Sequence, residues 1–195
     1  MSAPAVFYFD LASPLAYLAS EQVMHLVSGP VEWQPVLARE LPGLGGLPRL
    51  ARELPGAQAS DSSPCQTEAP RYRIEEQSFR EEIARGAERL GLQPLRWPRP
   101  FPFDSSLAMR AATYAKSIGR AIPFAQAAFR QAFAGGHNLE TADFVLIAAA
   151  ACEMHPNAVL RGTELRSVRE QLEGATEEAA RAGVSEVPAL RMGAR

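Results

Sequence analysis

Val6-Phe7-Tyr8-Phe9-Asp10-Leu11-Ala12-Ser13-Pro14-Leu15-Ala16-Tyr17-Leu18-Ala19 is the stretch whose reading decides the fold. Its first four residues are β-branched or aromatic, the composition of a short buried strand. A polar turn follows, and a helix opens at Ser13-Pro14. Proline suits the first helical position because its missing N–H would be unpaired there anyway. Serine suits the cap, where its hydroxyl accepts a bond from a first-turn N–H. A strand feeding directly into a helix N-terminus is a natural place to hold an anion or a thiolate. Ser13 is therefore the leading candidate for a functional residue, with a plain helix cap as the alternative.

Working outward, residues 5–11 read as strand and Ala16 to Ser28 as helix, stopped by Gly29-Pro30. Val31-Glu32-Trp33-Gln34-Pro35-Val36 alternates, putting Val31 and Trp33 on one face of a second strand. Pro35 lacks a backbone donor, so that strand ends or reaches a sheet edge there. The order β-α-β predicts a parallel pair joined by a right-handed crossover. At the other end, Gly183-Val184-Ser185-Glu186-Val187-Pro188-Ala189-Leu190-Arg191-Met192 reads as a helix stop, a turn and a short strand headed by Val-Pro. An X-Pro bond has only a small trans preference, so these residues leave the Val187-Pro188 isomer open.

Between the two ends, Leu41 to Pro70 is rich in Pro, Gly and Ser and reads as a long connection: a lid, the entrance to a second lobe, or a disordered insertion. Helical patterns fill Tyr72 to Ala182. A stripe through Ile74, Phe79, Ile83, Ala87 and Leu90 ends at Gly91, and Asp104-Ser105-Ser106 offers caps for a helix from Leu107 to Ile118. Further helices are predicted over Pro123–Phe133, Thr141–Cys152, Thr163–Leu172 and Ala175–Ala182. Their aromatic and alanine positions are predicted to be core.

Composition narrows the function. Of the 195 residues, 47% are hydrophobic and 22% charged, with a formal charge of −2. That balance is ordinary for a globular chain and gives no general attraction for nucleic acid or anionic membranes. No apolar run reaches bilayer length, so cytoplasm is the expected location. Cys65 and Cys152 lie far apart and form no C-x-x-C pair. His25, His137 and His155 show no ligand spacing, so no metal site is expected. All but one of the 20 basic residues are arginine, the exception being Lys116.

The two ends together resemble the DsbA-like branch of the thioredoxin superfamily, and within it the 2-hydroxychromene-2-carboxylate isomerases and kappa-class glutathione transferases. The residues that carry the likeness are Phe7-Tyr8-Phe9-Asp10, Ser13-Pro14 and Tyr17-Leu18-Ala19. Three later stretches add to it: Phe101-Pro102-Phe103-Asp104-Ser105-Ser106-Leu107-Ala108-Met109-Arg110-Ala111, Phe133-Ala134-Gly135-Gly136-His137-Asn138-Leu139, and Gly183 to Ala189. The resemblance implies an α/β fold: a thioredoxin-like core from 1–40 and 183–195, joined by flanking helical parts to about 175. It also implies an all-helical lobe inserted over 71–182 and a flexible connection over 41–70. The family's final strand and helix have no counterpart before Arg195, so the core is expected to look truncated, its open edge covered by a partner subunit if the chain is whole.

The same resemblance implies the chemistry. Glutathione lies in the cleft between core and lobe, with Ser13 contacting its sulfur and backbone groups at Val187, beside a cis Pro188, pairing with its backbone. Tyr17, Phe101 and Phe103 are expected to line an apolar cleft for a small aromatic electrophile, and Arg110 to clamp a substrate carboxylate, unless it is a solvated helix charge. The implied activity is cis/trans isomerisation through reversible thiolate addition. The alternatives are kappa-like glutathione conjugation, or a non-catalytic protein that binds a small molecule or a partner. The family habit is a homodimer. Dithiol exchange is rejected, because Ser13-Pro14-Leu15-Ala16 stands where C-x-x-C would be and serine cannot supply the attacking thiolate. Two family contacts have no match: Gly46-Leu47-Pro48 stands in place of an Asn motif, and the ligand-binding lysine is missing unless Arg71 or Arg73 replaces it.

Overall fold

Strand β1 (Ala5–Phe9) is buried along its whole length and forms the middle of a three-stranded sheet. The structure, a computed structural model, describes residues 4–43 and 68–193. β1 runs parallel to β2 (Val31–Pro35), with Phe7 opposite Trp33, and antiparallel to β3 (Ala189–Arg191), with Tyr8 opposite Ala189. The order among the described residues is β2-β1-β3. Pro35 ends its strand, as expected of a residue without an N–H.

Period-two alternation gives the sheet two apolar faces. Ala5, Phe7, Phe9, Val31 and Trp33 enter the larger core, while Val6 and Tyr8 enter a smaller one with Val36, Leu41, Ala179 and Val187. Within the larger core Phe7 meets Trp33 edge-on at 5.0 Å, and Phe9 lies 5.9 Å from Phe129. Each such aromatic pair adds about 0.5–1.5 kcal/mol beyond its area burial.

The first helical run divides into α1 (Pro14–Ser20) and α2 (Val23–Leu26) instead of continuing to Ser28. Ser20 Oγ donates to Tyr17 O at 2.7 Å, and the Glu21 N–H turns to Ala19 O. A hydroxyl that takes a last-turn carbonyl competes with the helix ladder and weakens it there. Beyond the undescribed stretch come α3 (Glu68–Arg89), α4 (Ser106–Ser117), α5 (Ala121–Phe133), α6 (Ala142–Ala150), α7 (Pro156–Glu164) and α8 (Arg166–Arg181). Most of the expected connection at 41–70, including Cys65 and Gly46-Leu47-Pro48, lies outside the described residues.

Two helix expectations need correction. The pattern over Thr163–Leu172 is the end of one helix and the start of another, and the break expected before Ala175 does not occur. α7 starts earlier, at Pro156, with His155 Nδ1 accepting from Asn157 N–H at 3.3 Å. α8 runs unbroken through Gly174 because Val168, Leu172, Thr176 and Ala179 recur at three- and four-residue spacing and are all buried. The Thr176 hydroxyl accepts from Leu37 N–H (3.0 Å) and donates to Leu172 O (2.8 Å), tying α8 to the segment after β2.

Candidate functional site

The carboxyl ends of the parallel strands β1 and β2 point the same way, the side where open α/β sheets hold ligands. Ser13 sits there as the cap of α1 with an extended backbone (φ −91°, ψ 113°). Its N–H donates to Asp10 O at 3.0 Å and its carbonyl accepts from Tyr17 N–H at 3.1 Å. Its Oγ accepts from Ala16 N–H at 3.2 Å, which leaves the hydroxyl proton free to donate to a third group. Ser13 is 2% exposed, so its hydroxyl lies in low-dielectric surroundings where a charge it faces is stabilised strongly.

Asp10 builds the loop that holds Ser13. Its Oδ1 accepts from Ala12 N–H and its Oδ2 from Ala38 N–H, both at 2.9 Å, so one carboxylate ties the turn after β1 to the turn after β2. Burial pushes its pKa above the usual carboxylate value, against the opposing pull of those N–H donors, the Ser105 hydroxyl and Arg39. Asp10 belongs to the family-like stretch Phe7-Tyr8-Phe9-Asp10, and its role was not expected from the sequence. The signal was there: an acidic residue between Phe9 and Leu11, in an otherwise apolar run, is buried unless the run is broken. Leu11 N–H meanwhile reaches Met109 Sδ at 3.3 Å, which brings α4 against the same loop.

Across the sheet, the Val187–Pro188 peptide is cis. Extending the antiparallel register past Tyr8 and Ala189 sets Pro188 level with Phe9 after one step and Val187 level with Asp10 after two. The structure therefore brings Ser13, Val187 and Pro188 to one end of the sheet. Gly43 N–H donates to Ser185 O at 2.8 Å, closing the segment after β2 onto the turn that leads into Val187.

The aromatic candidates form a continuous cluster. Tyr17 is buried and stacks on Phe133 at 5.7 Å; Phe133 lies 6.3 Å from Phe101, and Phe101 lies 6.4 Å from Phe103. Phe101, half-buried, also meets Trp97 edge-on at 4.9 Å. Burial first, then the Glu21 carboxylate, raise the Tyr17 pKa, and Arg130 opposes them. Arg110 is half-buried, and its Nε has no partner among the described residues. It follows Met109 by about 100° of helix rotation. It thus shares the face of Tyr114, whose ring packs over Gly162 of α7, while Met109 faces Leu11. Of Arg71 and Arg73 only the helical backbone is described.

No group of three His, Cys, Asp or Glu among the described residues is placed to hold a metal ion. No described helix is long and apolar enough to cross a membrane. Cys152 is buried, and burial raises its thiol pKa against the pull of Arg120.

Comparison with known proteins agrees with this architecture. A solved structure of a 2-hydroxychromene-2-carboxylate isomerase superposes with a TM-score of 0.73 at 15% identity, covering 98% of this chain and 86% of that one. A probable DsbA oxidoreductase from Streptomyces coelicolor gives a TM-score of 0.69 at 17% identity, with 98% and 84% covered. The cytosolic disulfide reductase DsbM from Pseudomonas aeruginosa, solved with GSH, gives 0.61 at 14% identity, with 96% and 85% covered. At such identities the likeness is one of fold. A search of the curated proteins finds no match. The model of the DSBA-like thioredoxin domain matches residues 5–195, and the chain belongs to that family.

Proposed function

We propose that the chain is a glutathione-dependent isomerase of the 2-hydroxychromene-2-carboxylate isomerase type, acting on a small aromatic electrophile. The observation that carries the reading is Ser13: a buried hydroxyl with an uncommitted proton, at the end of the sheet where cis Val187–Pro188 also arrives. Ser13-Pro14-Leu15-Ala16 contains no sulfur, so any thiol chemistry at this position needs a sulfur brought by a ligand. The residues fit glutathione, with the Ser13 hydroxyl suited to a thiolate and backbone groups at Val187 suited to pairing with an extended peptide. The likeness in fold to an isomerase, and to a disulfide reductase solved with GSH, supports the same choice.

Bound glutathione would supply a thiolate that adds to a conjugated double bond, allows rotation about the resulting single bond, and leaves unchanged. Ser13 holds the negative charge on sulfur before addition and again after departure. Its Ala16 N–H bond fixes the hydroxyl's direction, so little reorganisation is needed when charge arrives. The half-buried Phe101 offers an apolar wall for an aromatic ring. With this reading go a cytoplasmic location and a homodimer, the latter checked by sedimentation.

Calorimetric titration with glutathione is the first test, and heat saturating in the millimolar range or below is expected. Ser13→Ala is expected to lower isomerase turnover by about 10²-fold, as loss of one preorganised donor does. It should cost only about 1 kcal/mol of stability through the lost cap. Product analysis separates isomerisation, which returns free glutathione, from conjugation, which consumes it. The deep burial of Ser13 favours a second reading, a non-catalytic binding protein on the same scaffold. Absence of heat with millimolar glutathione selects that one.

A further inference from the structure

On the far edge of the sheet, β2, α4 and α8 border an open cleft of about 620 Å3, within the size range of small-molecule sites. Its walls are polar: Gln34 from β2, Lys116 from α4, and Gln171, Glu178 and Arg181 from α8. No side chain in its lining is aromatic or a large aliphatic one. The thiol site takes no part in it.

Gly174 lies in the wall, in the interior of α8, with an ordinary helical backbone. A glycine there costs about 1 kcal/mol relative to alanine. Packing does not require it, because nothing lies within 4 Å of the position its Cβ would take. What the missing side chain leaves is open space in the cleft.

The charges say what kind of molecule suits that space. Lys116 Nζ donates to Glu32 Oε1 at 2.6 Å and to Gln34 Oε1, which leaves one ammonium hydrogen free. Gln34 Nε2 uses one hydrogen on Pro35 O at 3.0 Å and keeps the other. Arg181 pairs with Glu177 at 3.5 Å. Both cations thus already face a carboxylate, and Glu178 is a third carboxylate with no partner among the described residues. A purely anionic ligand meets an excess of like charge, while a purely cationic one leaves the free donors of Lys116 and Gln34 unused. A molecule carrying both charges satisfies both ends.

We propose that this cleft is a second binding site, taking a zwitterionic α-amino acid or short peptide. Its carboxylate faces Lys116 and Gln34 and its ammonium faces Glu178. The test is a titration of the full chain with L-α-amino acids at millimolar concentration, read by calorimetry and by NMR shifts of the Gln34, Lys116 and Gly174 amides, with succinate and putrescine as single-charge controls. At least one amino acid is expected to bind more tightly than either control. Gly174→Leu should obstruct the cleft and weaken binding by about tenfold or more. Leucine is a better helix former than glycine, so that variant is expected to fold at least as well as the parent. Glu178→Gln should remove the preference over succinate. No binding by any amino acid, equal or tighter binding of succinate, or binding untouched by Gly174→Leu would each overturn the assignment. Glutathione binding at Ser13 is measured separately, so either proposal can fail alone.

Discussion

Ser13 and Asp10 divide the work of the site between a free proton and a buried carboxylate. Ser13 keeps a donor in reserve because its oxygen is held by Ala16 N–H and its own backbone is held by Asp10 and Tyr17. Asp10 uses both oxygens to keep two turns together, so Asp10→Ala strands the N–H groups of Ala12 and Ala38 in a buried place. At about 1–3 kcal/mol for each orphaned donor, a loss of about 2–6 kcal/mol is expected in urea unfolding. The titration of Asp10 gives a second readout. Its folded pKa is raised by burial above the usual 3.8, so the folded chain holds this proton more tightly than the unfolded chain. That stabilisation is complete below the unfolded value and is lost as pH rises through the folded one. Asp10→Asn abolishes it, so the stability of the wild type relative to Asp10→Asn is expected to fall as pH rises above 3.8. A difference that stays flat or grows with pH would contradict the raised pKa.

At the scale of elements, the helices are placed by caps and close approaches more than by propensity. Asp104, and not the Ser105 beside it, caps α4: its Oδ1 accepts from Ser106 N–H at 2.9 Å and from the Ser106 hydroxyl, and Arg39 reaches the same oxygen at 2.7 Å. Partial burial pushes the Asp104 pKa up, but those hydrogen bonds and Arg39 more than offset it and hold the carboxyl below its usual range. The ion pair with Arg39 is exposed, so most of the placement of α4 comes from packing. Its contact with α7 is the tightest of these: a Cβ on Gly162 would lie 2.5 Å from Tyr114 Cγ. Gly162→Ala is expected to push the ring off its seat and lower stability by about 1–3 kcal/mol, measured by thermal or urea unfolding. Tyr114→Ala combined with Gly162→Ala should show less than additive loss, because the clash has gone.

For the whole molecule, the aromatic side chains link sheet to helices. Phe9 meets Phe129 at 5.9 Å, Phe129 meets Tyr17 at 6.0 Å, and Phe133 carries the contact on to Phe101 and Trp97. Phe129 is buried at the junction. Phe129→Ala is expected to cost about 3–5 kcal/mol through lost burial and the cavity left behind. Because one core joins the sheet to α1 and α5, near- and far-UV circular dichroism should still report a single coincident transition in that variant. Two separated transitions would mean that sheet and helices unfold independently.

The start of the fold was legible because its signals are local. Consecutive aromatics, Ser13-Pro14 and Gly29-Pro30 mark β1, α1 and the turn before β2, since strand burial, capping and backbone restriction each act within a few residues. Those same residues marked Ser13 and the family, and Val187-Pro188 marked the last strand. Tertiary packing decided the rest. No local pattern tells that Asp10 bonds Ala38, 28 residues away, or that Met109 receives the Leu11 N–H. Local spacing allows α8 to continue through Gly174, a residue that local propensity reads as a break, and partners elsewhere in the chain decide it by holding Leu172, Thr176 and Ala179. Hydrogen bonds and burial between distant segments depend on which surfaces meet, and that is a property of the folded whole.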